Sequence, residues 1–302
     1  MDKFNIDKED LNLIELINIF LKRKYLIFFI VFISAILSVI YSLSLPNIYT
    51  SRAILVEANQ QNTLSSRLGG ITSFANVAGV SLPGQSSKTE EAIERIKSYE
   101  FFSKHFLPYI KLENLMAVNR WDEKNNTISY KKNLFNQADK EWVRKIKPVT
   151  PSNQQAYRKY KEIISVSQDN KTGFVSLSIK HESPHIAKEW MVLIIQKINF
   201  SMRMENDKLA KKSIDFLTNQ LKNTNIKETR DAITSLIESQ MQNLMVAAVS
   251  ESYAFRVLES PIAPEKKTSP SRAIICIIGT ILGGIFALII ALFIHFKNIF
   301  ND

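Results

Sequence analysis

Two uncharged stretches limit everything else this chain can fold into. Residues 25–45 form a run of 21 without a charge, and residues 273–296 a run of 24 whose only ionisable groups are Cys276 and His295. At about 1.5 Å per helical residue each run reaches roughly 31–36 Å, enough for a hydrocarbon core of about 30 Å. The reading is two membrane spans around a soluble segment. The first run is longer than the roughly 7–15 apolar residues of a signal-peptide core, and no A-x-A site follows it, so it is expected to remain as an anchor. Lys22, Arg23 and Lys24 stand directly before it, and Arg52 is the nearest base after it. That asymmetry places the N-terminus in the cytoplasm. The second span is less regular, with Lys266, Lys267 and Arg272 before it and Lys297 after. Long loops translocate largely regardless of charge, so the first span decides. The expected organisation is a cytoplasmic tail over 1–24, a span over 25–45, an outer domain over 46–272, a span over 273–296 and a cytoplasmic tail over 297–302. Six residues after the second span offer no room for an output module.

Charge then narrows the partners. The net charge is +10, and all of the excess lies in residues 46–272, with 33 bases against 23 acids. Nucleic acid is not available outside a membrane, so a mixed-charge solvated surface is the plain reading. Attraction to anionic lipid or acidic glycan is the functional one. Cys276 is the single cysteine. No internal disulfide can form, and packing alone must hold the outer domain.

Along the chain, residues 9–20 place Leu13, Ile17 and Phe20 on one helical face, a short amphipathic helix for the inner leaflet. Residues 48–58 read as a strand. Residues 59–87, rich in Ser, Gly and Asn, read as a long loop with a helical turn near 71–77. Ser87 or Thr89 can cap a helix to about His105 with Ile93, Ile96 and Phe102 inward. Trp121 and Trp142 mark packed elements, with a helix over 136–145. Residues 163–180 alternate apolar and polar on both sides of Asp169-Asn-Lys-Thr-Gly173, which predicts a β-hairpin with one buried face. Ser183-Pro184 then opens a long helix, with Ser as N-cap and Pro in the first turn. No Pro or Gly follows until Pro261. Ile194, Ile198, Met202 and Leu209 form its expected apolar stripe, Ala210, Ile214, Leu217 and Leu221 continue it at a 4-3-4 spacing, and a run to Lys222 would reach roughly 60 Å. Thr224-Asn225 interrupts, Asn225 and Glu228 are spaced as a capping box, and a second helix folds back as a hairpin. It turns Ile233, Ile237, Met241 or Gln240, Leu244 and Ala248 to one face. Residues 253–258 read as a strand beside the first, and Pro261, Pro264 and Pro270 as a stiff lead into the second span.

His181-Glu-Ser-Pro-His185 matches the H-E-x-x-H zinc-protease string. That chemistry needs both histidines on one continuous helix, and Pro184 stands inside it. A helix start explains the string better. No phosphate-binding loop of the G-x-x-x-x-G-K-[ST] type and no G-x-S-x-G elbow occurs, so neither catalysis nor a cofactor or metal is expected. Gly279, Gly283 and Gly284 give the second span a small-residue face for the first span or a neighbouring subunit.

Three segments, in this order, resemble the Wzz-type chain-length determinants, the first class of polysaccharide co-polymerases. They are Asp10-Leu-Asn-Leu-Ile-Glu-Leu with Lys22-Arg-Lys and Pro46-Asn-Ile-Tyr49; the hairpin over 165–179 leading to Ser183-Pro184 and Trp190; and residues 253–272, with Gly279, Gly283 and Gly284 beyond. Val257-Leu-Glu-Ser before Pro261 departs from the Asp-x-Ala type sequence of many relatives. The resemblance implies an α+β fold in which two transmembrane helices flank a periplasmic α/β base, over 46–183 and 250–272, with a long protruding helical hairpin over 184–249. It further implies a bacterial inner-membrane protein that is not an enzyme. Such a protein is a homo-oligomeric ring or bell, octamer-like, working with a Wzy-type polymerase, with lipid-linked glycan as a further contact. O-antigen or a related lipopolysaccharide is the glycan whose length it would set. The rival readings are a capsule-export adaptor for a separate tyrosine kinase and a membrane-bound periplasmic sensor.

Overall fold

The computed structural model describes residues 20–58, 88–249 and 252–299. The expected helix over 9–20, but for its last residue, and the expected loop over 59–87 lie outside them. The main elements, in chain order and leaving aside short helical turns between Tyr99 and Met116, are α1 (Lys24–Ser44), β1 (Tyr49–Glu57), α2 (Lys88–Lys97), β2 (Val118–Asp122), β3 (Thr127–Tyr130), β4 (Phe135–Asn136), β5 (Glu141–Trp142), α3 (Asn153–Ile163), β6 (Ile164–Gln168), β7 (Val175–His181), α4 (Pro184–Asn223), α5 (Lys227–Val249), β8 (Phe255–Glu259) and α6 (Arg272–Ile299). They fall into two compact units, Met1–Ile48 with Lys267–Asp302, and Tyr49–Lys266.

The first unit is the helix pair α1 and α6. Lys24–Ser44 and Arg272–Ile294 have mean hydropathies of 2.7 and 2.8, and 11% of each apolar window is buried within the chain. A core helix of a soluble protein would be mostly buried, so both are candidate membrane spans. In hydrocarbon a helix satisfies every backbone polar group internally, which is why such runs are helical. α1 stops at Leu45, whose extended backbone (φ −72°, ψ 137°) is what a following proline demands.

The second unit is built on an antiparallel sheet in the order β6-β7-β1-β8. The β6–β7 hairpin matches the sequence reading, with Val175, Leu177 and Ile179 buried and the serines between them facing out. Asp169 accepts from the backbone N–H groups of Lys171 and Thr172, and Gly173 supplies the positive φ of 72° that closes the turn. β1 pairs with β7, Ala53 opposite Leu177, and with β8, so the first and last strands lie side by side as expected. Under the sheet lie Ala92, Ile93 and Ile96 of α2, Ala156 and Tyr160 of α3, and Ile186 to Met202 of α4. α3 begins with a full capping box between Ser152 and Gln155.

Four sequence readings are corrected. The helix that starts at Lys88 breaks at Ser98, whose hydroxyl accepts from Phe101 N and restarts the chain as short turns to Tyr109. Ile93, Ile96 and Phe102 are buried nonetheless. Residues 136–145 are not a helix: Phe135–Asn136 and Glu141–Trp142 pair as a small ladder. Asn136 holds that turn through Ala138 N and Asp139, with Lys140 at a φ of 55°. On α4, Leu209 is 58% exposed and Ala210 takes the inward place. On α5, Ala248, expected on the inward face, is exposed; of the two alternatives Met241 and Gln240, Gln240 is the half-buried one, as are Ile237 and Leu244.

Candidate functional site

The candidate sites are surfaces, and the paired spans are the first. On α6, a Cβ at Gly279 would overlap Ser38 of α1, and one at Gly283 would overlap Ser34. The serines use the closeness. Ser34 Oγ donates to Gly279 O at 2.8 Å and Ser38 Oγ to Ile275 O at 3.2 Å. Ala287 and Ala291 continue the four-residue spacing and are fully buried. Small residues let helix backbones approach, and hydroxyls then hydrogen-bond across the seam. Gly284 is different: a Cβ there would meet open space. Among the described residues it takes no part in the packing of α1 on α6, unlike the other two glycines. Ser34 and Ser38 were not singled out in the sequence, although Ser34, Ser38 and Ser42 repeat every four residues.

Just beyond the candidate spans, the segment that follows α1 and the one that precedes α6 are clipped together. Ile48 N donates to Ser269 O at 2.9 Å and Thr268 N to Ile48 O at 2.8 Å. Lys267 and Arg272 both reach the side chain of Asn47. In the Tyr49–Lys266 unit, Ser51 Oγ donates to Ile262 O at 2.9 Å, and Pro261 is buried while Pro264 is half-buried. Pro270, half-buried, stands two residues ahead of α6.

The long hairpin is the second surface. α4 runs 40 residues, about 60 Å at the usual helical rise. Ile194, Ile198 and Met202 are buried in the core, while Ile214, Leu217 and Leu221 are half-buried alongside α5. Asn199 anchors the root: its Oδ1 accepts from Ala254 N and Phe255 N, and its Nδ2 donates to Phe255 O. Arg95 of α2 braces the middle by pairing with Glu205 at 2.5 Å and Glu91 at 2.8 Å. At the tip, Arg230 donates to the carbonyls of Leu221 and Thr224. That contact pins the turn where the sequence suggested an Asn225–Glu228 box. Beyond this frame the hairpin carries exposed apolar side chains, including Leu209 at 58%, Phe216 at 62%, Leu236 at 52% and Met245 at 63%.

The H-E-x-x-H string takes the form its proline dictates. His181 ends β7 and Pro184 begins α4. Ser183 N donates to His181 Nδ1 at 2.8 Å, so the ring proton sits on Nε2 and is donated to Asn114 O at 2.9 Å. Both ring nitrogens are engaged, and neither offers a lone pair to a metal. Burial holds the His181 pKa below the usual histidine value. His185 turns away to the edge of Trp121. Ser183 has the extended backbone of an N-cap, but its hydroxyl does not cap the helix. Lys22, Arg23 and Lys24 stand at the start of α1, where the sequence put them.

Residues 9–106 match the family model described as Wzz, chain length determinant protein. Over those residues the chain is similar to the chain length determinant family. The resemblance read from the sequence is thereby found by an independent route. Among solved structures the chain is similar to a full-length bacterial polysaccharide co-polymerase, at 16% identity and a TM-score of 0.44, over 96% of this chain and 100% of that one. It is also similar to a fragment of WzzB, the polysaccharide co-polymerase of Salmonella Typhimurium, at 15% identity and a TM-score of 0.31, over 74% of this chain and 100% of that one. None of the curated proteins matches the chain.

Proposed function

We propose that this chain regulates the length of a bacterial surface polysaccharide, O-antigen or a related lipopolysaccharide, as a non-enzymatic scaffold beside a Wzy-type polymerase. The observation that carries the reading is the chain length determinant match over 9–106 in a chain whose two candidate spans bracket a domain with a 40-residue helix. In this reading the chain is a two-pass inner-membrane protein. Residues 46–272 are periplasmic and both tails cytoplasmic, with Lys22, Arg23 and Lys24 holding the first span in that orientation. The chain works as a homo-oligomer. Exposed Leu209, Phe216, Leu236 and Met245 support that, since apolar side chains repeated along a long hairpin favour burial against further copies. Gly284, open in the single chain, is offered to a neighbouring span. Regulation needs fixed geometry rather than a reacting group.

The test is the size distribution of lipopolysaccharide in a strain lacking the gene and in the same strain with it restored. Deletion is expected to turn a clustered ladder into a random, short-biased one, and restoration to bring the cluster back. A ladder unchanged by deletion would contradict the O-antigen reading, and a change confined to capsule would move the activity to another glycan.

A further inference from the structure

Bases at the outer end of the second span run against the positive-inside pattern, and the structure shows what two of them do. Lys267 Nζ lies 3.4 Å and Arg272 Nη2 3.1 Å from one oxygen, Asn47 Oδ1. A neutral amide oxygen can accept from both, but it cannot neutralise two cations. Arg272 Nε is buried and, among the described residues, has no hydrogen-bond partner. Both basic side chains belong to half-buried residues. Among the described residues neither is in an ion pair. A buried donor without an acceptor is costly, and two converging cations without an anion more so.

The place of the cluster supplies the missing anion. Asn47 lies three residues beyond the end of α1, and Arg272 is the first residue of α6. Where a span leaves hydrocarbon, the nearest anions are lipid phosphates. An arginine fork beside a lysine point charge is the side-chain set that binds them.

We propose that Asn47, Lys267 and Arg272 form a phosphate site at the bilayer boundary, filled by the headgroup phosphate of a membrane lipid. The guanidinium and the ammonium hold the phosphate oxygens, and Asn47 keeps the two cations converged. The orphan Nε–H gains its acceptor there. The proposal rests on α1 and α6 being spans and is independent of which polymer the protein regulates. A phospholipid and a lipid diphosphate bearing a glycan share this chemistry.

The test uses the full chain in a phosphate-free maltoside detergent. Native mass spectrometry follows the retention of three lipids: phosphatidylglycerol, a polyprenyl diphosphate, and a galactolipid with the same acyl chains as the first. The phosphate lipids are expected to be retained and the galactolipid lost. Retention of phosphatidylglycerol alone assigns the site to phospholipid, and of the diphosphate alone to a glycan carrier. Lys267→Gln with Arg272→Gln is expected to weaken retention about tenfold or more, the scale of a lost charge-assisted hydrogen bond. Asn47→Asp provides a second line that keeps both cations. Its carboxylate would neutralise them from within, so it is expected to weaken phosphate-lipid retention while leaving the protein folded. Galactolipid held as firmly as phosphatidylglycerol would overturn the proposal. So would Asn47→Asp binding phosphatidylglycerol as the unaltered chain does.

Discussion

Tyr160 is fully buried among aromatic rings, with Phe102 at 5.1 Å and Phe106 at 5.0 Å between centroids, and its hydroxyl donates to Ile96 O at 2.9 Å. The bond ties α3 to the last turn of α2. Tyr160→Phe keeps the ring but leaves a buried carbonyl unsatisfied, so a loss of about 1–3 kcal/mol is expected, read as a lower unfolding midpoint. His181 makes a second prediction. Its folded pKa is depressed, so the unfolded chain binds the proton more readily. Its contribution to stability is full above the ordinary histidine value of about 6.5 and is lost as pH falls toward the depressed folded value. Thermal unfolding followed from pH 7 to 5 should therefore show a falling midpoint, and His181→Gln should shallow that slope. It should not abolish it, because burial and Lys197 also hold His105 below its usual value. A slope unchanged by the substitution would contradict this account of His181. At this scale the sequence showed that Pro184 forbids a metalloprotease helix. It did not show what holds His181, because Asn114 is 67 residues away.

Elements were legible where a period ran long enough to be counted. The β6–β7 hairpin alternates over both strands around a turn of Asp and Gly, and α4 carries apolar spacing with no Pro or Gly inside. β4 and β5 are two residues each, too short for any period, so the sequence over 136–145 reads as a helix instead. Hydrophobicity puts both Leu209 and Ala210 on the inward stripe, but the turn of α4 gives that place to Ala210 alone. In the spans the glycine spacing was readable and the serine partners were not, since a serine looks alike at a seam and facing lipid. Gly279→Leu or Gly283→Leu should force α1 and α6 apart, lowering the unfolding temperature of the detergent-solubilised chain. Gly284→Leu should leave it unchanged, because its Cβ meets no neighbour. Equal effects from Gly283→Leu and Gly284→Leu would contradict the packing described. Arg230→Ala removes the clamp on the Leu221 and Thr224 carbonyls. Faster hydrogen exchange over 221–230 is expected, with the β6–β7 hairpin unaltered.

At the scale of the whole molecule, the pairing of the first and last strands was foreseen because each leads directly to or from an apolar run. The order of β6 and β7 beside them was not, since β1 meets β7 across more than a hundred residues and nothing local records that register. The central claim is that this chain sets a length without making the polymer, and that it does so as an assembly whose hairpins touch. Leu209 and Phe216 are the most direct handle, being exposed in one chain and outside its core. The measurement is the lipopolysaccharide size distribution in a strain whose only copy carries Leu209→Glu with Phe216→Glu, beside the oligomer mass of the same purified protein. The account predicts a smaller assembly, total glycan near normal, and a ladder that has lost its modal cluster. A dissociated protein that still imposes the cluster would contradict the scaffold, and a strain that makes no polymer at all would contradict a regulator distinct from the polymerase.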